Sequence, residues 1–447
     1  MTQTSNQKHP SALYLLFFTE MWERFSYYGM RALLILFLTS EMSKGGFAFS
    51  TEKSGQIYGL YTGFSYLTTL LGGYIADRYL GFRKSVIIGG ILMAIAQASL
   101  SFGSFGSSVP IFYFGLVLLV TGNGMFKPNI SSMVGQLYED GSPLKDSAYT
   151  IFYMGINIGA FLGSIICGYL GENVGWHYGF GAAGVGMVLG VLILNTWQKM
   201  LGPIGLPPQK TSKAKEAEAV PQQPLSLVEK QRLIVVLVLS FFSIIFWLAF
   251  EQAGSSMNLF ASRYTDRDLG FFEVPATWFQ SVNAFFIFTL APLFSILWIK
   301  LERVGKNPNG ALKFAIGLFL LGLGFVALVI GAGSIPQGAT SGSVSMLWLV
   351  LAYLLHTMGE LCLSPVGLSF VNKLSPKHLA GLMFGVWFLA TGLGNYLGGA
   401  ISGFIDRFAQ EQSLSNFFLL FVSVSIVSSL ILFLLSPLLR KWMHGVK

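Results

Sequence analysis

Three features of this sequence predict an all-α membrane protein with twelve transmembrane helices in two six-helix bundles. Of its 447 residues, 53% are hydrophobic and only 11% are charged, against roughly 25% charged in soluble domains. The apolar residues fall into runs long enough to cross a bilayer, which takes roughly 20 residues. One polar stretch, 199–231, divides those runs six and six.

In order, the first six runs cover 13–38, 54–76, 84–104, 109–131, 147–170 and 175–198. The second six cover 232–262, 276–299, 311–332, 346–372, 379–404 and 414–439. Most connections between them are short. The stretch 199–231 holds Pro203, Pro207, Pro208, Lys210, Lys213 and Lys215 and is too polar and too short to hide another span, so it reads as a linker. The expected organisation is a bundle over 1–198, a cytoplasmic linker over 199–231, and a second bundle over 232–447.

Lys and Arg outnumber Asp and Glu by 28 to 20, for a net charge of +8. A basic balance can signal nucleic acid, but no nucleic-acid module is visible, and the basic residues are distributed as a topology signal. Twenty, including Arg83, Lys84, Lys199 and Lys441, lie on one predicted face, and five, Lys44, Lys53, Arg263, Arg267 and Arg407, on the other. The surplus marks the cytoplasmic side. Both termini are then cytoplasmic, and the membrane is the inner (plasma) membrane. Trp197, Trp298 and Trp442 fall at inner ends and Trp176, Trp278 and Trp348 at outer ends, as an aromatic belt requires. Cys167 and Cys362 lie inside apolar runs, which speaks against a disulfide framework. No cleavable signal peptide is visible, so the first helix is expected to be retained.

The first run is the most informative. Within it, Glu20, Glu23, Arg24 and Arg31 are charged, and each charge at mid-membrane costs on the order of 2.5–3.5 kcal/mol. At ~100° per residue, these four with Tyr27 and Tyr28 share an arc of roughly 140°. One face of the helix therefore looks into a wet or protein-lined space. A Glu20–Arg24 pair at i,i+4 would be ordinary glue, but it leaves Glu23 and Arg31 unexplained. Lys127, Glu251 and Glu360 are further ionisable residues inside apolar runs. His356, one turn before Glu360, reads as a packed histidine, and Trp22, Phe25 and Met30 as packing.

Several stretches resemble known families. Gly73…Asp77-Arg78…Gly81 with Arg83 and Lys84 is similar to the signature loop of the major facilitator superfamily, with one extra residue before Gly81. Glu20-x-x-Glu23-Arg24-Phe25-x-Tyr27-Tyr28-Gly29 resembles the first-helix motif of the proton-coupled oligopeptide transporter (POT) family. Gly122-Asn123-Gly124-Met125-Phe126-Lys127-Pro128-Asn129 and Phe152-Tyr153-Met154-Gly155-Ile156-Asn157-Ile158-Gly159 resemble its fourth- and fifth-helix motifs. Phe250-Glu251-Gln252-Ala253-Gly254-Ser255 and Gly359-Glu360-Leu361-Cys362-Leu363-Ser364-Pro365 resemble those of the seventh and tenth helices. The likeness spans essentially the whole chain. It departs at Ser85, where a small apolar residue or Thr is commoner. The linker also has no room for the two extra helices of many bacterial members, and 333–345 none for the extracellular domain of animal members. A compact bacterial-type member fits.

The resemblance implies the major facilitator fold and a proton symporter importing di- and tripeptides. A peptide is a zwitterion, so its site must read both termini. Arg24, Arg31 and Lys127 suit the carboxylate, and Glu360 the ammonium, with the amides of Asn157 and Asn283 helping. Tyr28, Tyr66, Tyr153 and Trp247 offer walls with polar tips, Tyr66 being also compatible with plain packing. Ser364 shares a face with Glu360 at i,i+4. The family pattern implies proton coupling through Glu20, Glu23, Arg24 and Glu251. It also implies two gating pairs, Arg31 with Glu251 and Lys127 with Glu360, and a cytoplasmic latch at Asp77 and Arg78. The expected partners are peptide, protons and the lipid bilayer, not nucleic acid, and the chain is expected to be a monomer. No metal site, catalytic residue or cofactor beyond the co-transported proton is expected, and no enzyme activity. A transporter of nitrate or another small anion, or a non-transporting peptide sensor, are the alternatives.

Overall fold

The computed structural model describes residues 8–139, 141–207, 225–376 and 378–446, with Pro365 by its backbone alone. Most of the expected linker, 208–224, lies outside them. The described chain is helical, save for a two-residue parallel ladder of β1 (Thr265–Asp266) on β2 (Val344–Ser345).

Twelve of its helices are 22 to 29 residues long. They are α1 (Ser11–Thr39), α2 (Thr51–Ile75), α3 (Phe82–Phe105), α4 (Val109–Gln136), α5 (Leu144–Tyr169), α6 (Trp176–Trp197), α7 (Leu227–Phe250), α8 (Phe279–Arg303), α9 (Gly310–Ala332), α10 (Met346–Leu374), α11 (Ala380–Ser402) and α12 (Leu414–Trp442). Among the described residues, ten helices are long and apolar enough to cross a membrane. Those ten do not include α1 or α2. α1 falls short because of Glu20, Glu23, Arg24 and Arg31, and α2 is rich in Thr, Ser, Tyr and Gly with Glu52 and Lys53 at its start.

Helix ends are set locally. Ser226 and Glu229 form a reciprocal capping box at the start of α7, satisfying two amides the helix cannot. The Asn309 side chain accepts from the Leu312 amide at 2.9 Å to start α9. Gly81, at φ +75°, makes the sharp turn between α2 and α3.

One expected span is broken. The apolar run 232–262 predicts one continuous span, but α7 stops at Phe250 and a tight 3-10 turn, Glu251–Gly254, follows. A second helix, Ser256–Tyr264, then begins after Ser255 at φ −125°, ψ −96°. Side chains carry the break. Ser255 Oγ donates to the Glu251 carbonyl at 3.0 Å and Ser256 Oγ to Gln252 Oε1 at 2.6 Å. Local hydroxyl and amide bonds compete with the regular helical ladder, and apolar periodicity cannot register them.

The chain forms two compact units. The first is Met1–Met30 with Thr68–Gln209, the second Arg31–Leu67 with Lys210–Lys447. In the first, α3 and α4 lie so close that a Cβ on Gly89 would sit 2.7 Å from the Gly122 carbonyl. At one end of this unit, Arg83 donates to the carbonyls of Gly202 and Ile204 at 2.7 and 2.6 Å, and Gln136 accepts from the Gly205 amide at 3.0 Å.

In the second unit, Phe325, Phe418 and Phe421 stack in the core, with His356 packed on Phe325 at 4.6 Å between ring centres. The same unit contains a glycine seam between α2 and α11. A Cβ on Gly55 would lie 2.7 Å from the Gly399 carbonyl, and one on Gly59 2.5 Å from the Tyr396 carbonyl. Spacing of Gly55, Gly59 and Gly63 by four residues keeps all three on one face.

Candidate functional site

In the first unit, α1 gathers the coupling candidates. Glu20, Glu23 and Arg24 are all buried, at 2%, 0% and 3% exposure. Arg24 Nε is 3.0 Å from Glu20 Oε1 and is also paired with Glu23. One guanidinium thus serves two buried carboxyl groups. Lys127, on α4, is within electrostatic reach of all three and of Tyr28. The Arg24 guanidinium lies over the Tyr27 ring at 5.2 Å, and the rings of Tyr27 and Tyr28 meet edge to face at 5.3 Å.

The backbone around this trio is shaped by small residues. Gly159 of α5 approaches so closely that a Cβ there would lie 2.8 Å from the Arg24 Cβ, and Gly155 and Gly163 face Phe17 and Phe25 in the same way. The fifth-helix stretch therefore carries α5 flush against the charged part of α1. Its polar members differ in exposure: Asn157 is buried and donates to the Tyr153 carbonyl at 2.9 Å, while Tyr153 is 40% exposed. Pro128, next to Lys127, lies inside α4 and removes one backbone donor. Asn129 supplies side-chain bonds nearby, to the carbonyls of Met125 at 2.7 Å and Gly72 at 3.3 Å.

In the second unit, three residues from three elements converge. Arg31 Nη2 is 2.8 Å from Glu251 Oε1. Arg31 Nε donates to the Tyr58 hydroxyl at 2.8 Å, and that hydroxyl donates to Glu251 Oε1 at 2.6 Å. Tyr58 has no exposed surface. It was missed by the sequence reading, which singled out Tyr66 on the same helix; Tyr66 lies half-buried beside Gly392. The helix break holds Glu251 in place. Gln252 donates to the carbonyls of Leu248 and Gly398 at 3.1 and 2.8 Å, and Tyr353 of α10 donates to the Ala253 carbonyl at 3.1 Å. Asn258, just beyond the break, donates to the Ala32 carbonyl at 2.8 Å.

Further along α10, the Asn283 amide of α8 donates to Glu360 Oε2 at 3.0 Å and to Thr357 Oγ1 at 2.9 Å. Glu360 and Ser364 are both half-buried. Trp247 on α7 packs against Gly394, and its indole N–H is buried without a hydrogen-bond partner among the described residues. Lys127 belongs to the first unit and Glu360 to the second.

At the turn after α2, Arg78 donates to the Tyr74 hydroxyl at 3.0 Å on an exposed surface. Partial burial pushes the Asp77 carboxyl up from the usual carboxylate range. Arg83, part of the signature loop, joins that end of the unit to the carbonyls of Gly202 and Ile204, alongside the Gln136–Gly205 bond. Among the described residues, no group of His, Cys, Asp and Glu is arranged to hold a metal.

Comparison with known proteins agrees over the full length. A family model described as the POT family (PTR2) matches residues 83–214 and 209–420. The peptide transporter YePEPT of Yersinia enterocolitica subsp. palearctica is 34% identical over 97% of this chain and 95% of its own. A di-/tripeptide transporter of Lactococcus lactis subsp. cremoris is 30% identical over 98% of this chain and 97% of its own. A crystal structure of a peptide transporter POT in complex with sulfate aligns over 100% of this chain and 98% of its own, at 32% identity and a TM-score of 0.88. With its buried Glu20–Glu23–Arg24 trio, its Arg31–Tyr58–Glu251 triad and this end-to-end likeness, the chain belongs to the POT family.

Proposed function

We propose that this protein is a proton-coupled symporter that imports di- and tripeptides by alternating access. The observation that carries the reading is the pairing of buried carboxylates with cations that have other partners: Arg24 between Glu20 and Glu23, and Arg31 between Glu251 and the Tyr58 hydroxyl. A peptide carboxylate is the ligand that competes for such cations. When it takes a share of Arg31 or Lys127, a carboxylate left behind has lost its counter-charge and gains affinity for a proton. Proton and peptide then favour each other's binding by the same factor.

The roles follow from chemistry. Arg31 and Lys127 hold the peptide carboxylate, and Glu360 holds the ammonium. Asn283 occupies Glu360 Oε2 and fixes the carboxylate's orientation, while Asn157 adds an amide. Tyr28, Tyr66, Tyr153 and Trp247 line adaptable side-chain space, and Ser364 adds a hydroxyl one turn from Glu360. Arg24 ties Glu20 and Glu23 into the proton path. Arg31 with Glu251 closes the outer side and Lys127 with Glu360 the inner side. All twelve long helices cross the inner membrane in two six-helix halves, with both termini cytoplasmic, and the chain works as a monomer. Asp77 and Arg78 act at the cytoplasmic ends of the helices.

The driving force is adequate. One proton entering supplies ~2.3 kcal/mol per 100 mV, equivalent to roughly fifty-fold accumulation of a neutral zwitterion. The substrate class is tested with pure protein in liposomes, comparing labelled dialanine with its N-acetylated form, wild type beside Glu360→Gln. Wild type is expected to carry dialanine and discriminate against the blocked amine, and the variant to lose most of its dialanine uptake. Equal uptake of both compounds by wild type contradicts the role of Glu360. Movement of nitrate but not dialanine favours an anion carrier, and binding without movement a sensor.

A further inference from the structure

The Arg31–Tyr58–Glu251 triad is not the only polar tie at the α2–α11 seam. Asp406 sits in a short helix, Ile405–Glu411, just beyond α11. Its Oδ1 accepts from Arg263 Nη1 at 2.7 Å, and its Oδ2 accepts from the Thr51 hydroxyl. Thr51 is the first residue of α2 and is buried; Arg263 lies in the last turn of the helix that follows the break after α7. Both carboxylate oxygens are therefore committed, each to a different element. The glycine seam runs from this point along α2, because a Cβ on Gly55 would also lie 2.7 Å from the Gly403 amide. Tyr58, two turns in from Thr51, belongs to the triad. A segment that precedes the linker is thus tied at two levels to segments that follow it.

We infer that Thr51, Asp406 and Arg263 form a second outer tie, which sets how readily the outer side opens and is distinct from the proton-sensitive triad. The inference rests on the alternating-access reading above. The two ties differ in chemistry. The inner one uses a buried glutamate whose partner a peptide carboxylate can take. The outer one is a partly exposed ion pair, with Arg263 and Asp406 side chains 27% and 36% exposed. None of the candidate substrate-binding or proton-coupling residues contributes to it. It opposes opening whether or not the triad has been released, and so acts as a positioning element that biases the closed state. Arg263 also accepts from the Gly342 amide through its backbone at 3.1 Å, so removing its guanidinium leaves that anchor intact.

The test uses a Thr62→Cys reporter in the full chain in proteoliposomes. Thr62 is 1% exposed, lies one turn past Tyr58 on α2 and bonds to backbone carbonyls. Its labelling by a membrane-impermeant maleimide from outside reports opening. The parent chain, with Cys167 and Cys362 buried, gives the background. Asp406→Asn and Arg263→Gln are expected to speed labelling about three- to tenfold, the scale of one partly exposed ion pair with an added hydrogen bond. Thr51→Val should have a smaller effect in the same direction, and the reciprocal exchange Arg263→Asp with Asp406→Arg should return the rate toward the reporter's own. A merely structural role would lower melting temperature without that rescue. Unchanged labelling in all three single variants, measured on folded protein, overturns the inference; Thr51→Val carries the test if the charge variants do not fold. Dialanine uptake by the unmutated chain in parallel vesicles reports separately on the transport reading.

Discussion

Tyr58 donates to Glu251 and accepts from Arg31, and so orders an ion pair that two long side chains would otherwise hold loosely. The charged residues around it were legible in the sequence because each is expensive in an apolar run. A tyrosine carries no such penalty. Nothing in the pattern of α2 distinguishes Tyr58, buried and bridging, from Tyr66, half-buried beside Gly392. The hydroxyl's role depends on what lies opposite it, and that is tertiary information. Tyr58→Phe keeps the ring and removes the bridge. A hydrogen bond to a charged group contributes about 1.5–3 kcal/mol, so pH-driven dialanine uptake should fall about tenfold at equal protein amount; undiminished uptake would show the hydroxyl to be idle. Asp77 gives a contrasting case. Burial raises its carboxyl, so ionisation at neutral pH opposes folding. The sign follows: stability is greatest below the ordinary aspartate pKa and falls as pH rises through the raised one. Asp77→Asn should therefore leave stability unchanged or slightly higher, by under about 0.5 kcal/mol for so exposed a group, while slowing transport if the carboxylate works at the cytoplasmic face. A marked fall in melting temperature would contradict this.

Elements are placed by their smallest residues. The sequence shows Gly55, Gly59 and Gly63 at regular spacing and a second glycine run from Gly392 to Gly399. Small residues at such spacing permit close approach, but the spacing marks a face and not its partner, so the meeting of these two helices is known from the structure alone. At Gly59 a Cβ would lie 2.5 Å from the Tyr396 carbonyl and 3.0 Å from the Ala400 amide, both backbone, whereas nothing lies within 4 Å of the corresponding point at Gly73. Gly59→Val is therefore expected to cost about 1–3 kcal/mol by overpacking and to abolish transport, while Gly73→Ala leaves folding and uptake near wild type. Comparable melting curves for the two variants would mean the seam is looser than described. The break after α7 has a related lesson. Its helix-stopping bonds come from Ser255, Ser256 and Gln252, residues that also occur inside ordinary helices, so the apolar run 232–262 looked unbroken. The break places Glu251 at the end of one helical piece, where its side chain reaches Arg31 and Tyr58. Irregular backbone next to a buried charge is how transporters of several folds build their sites.

At the scale of the whole molecule, composition alone identified a helical membrane protein, and motif likeness over nearly the full chain identified its family. Two features differ from the sequence expectation. Among the described residues, ten helices, not twelve, are apolar enough to qualify as spans on composition. α1 falls short because it carries Glu20, Glu23, Arg24 and Arg31. The compact units also cut the chain differently from the linker: Arg31–Leu67, early in sequence, belongs with Lys210–Lys447. Which segments pack together is tertiary information that hydropathy does not encode. In that second unit, Arg31 meets Glu251 directly.

The central claim is that buried carboxylates sharing cations couple a proton to peptide movement. It is tested most directly with pure protein in liposomes, measuring counterflow and pH-driven uptake of labelled dialanine, wild type beside Glu23→Gln. The prediction is that wild type concentrates dialanine under an inward proton gradient, while the variant exchanges it but no longer accumulates it. Gradient-driven accumulation by Glu23→Gln equal to that of wild type would contradict the claim.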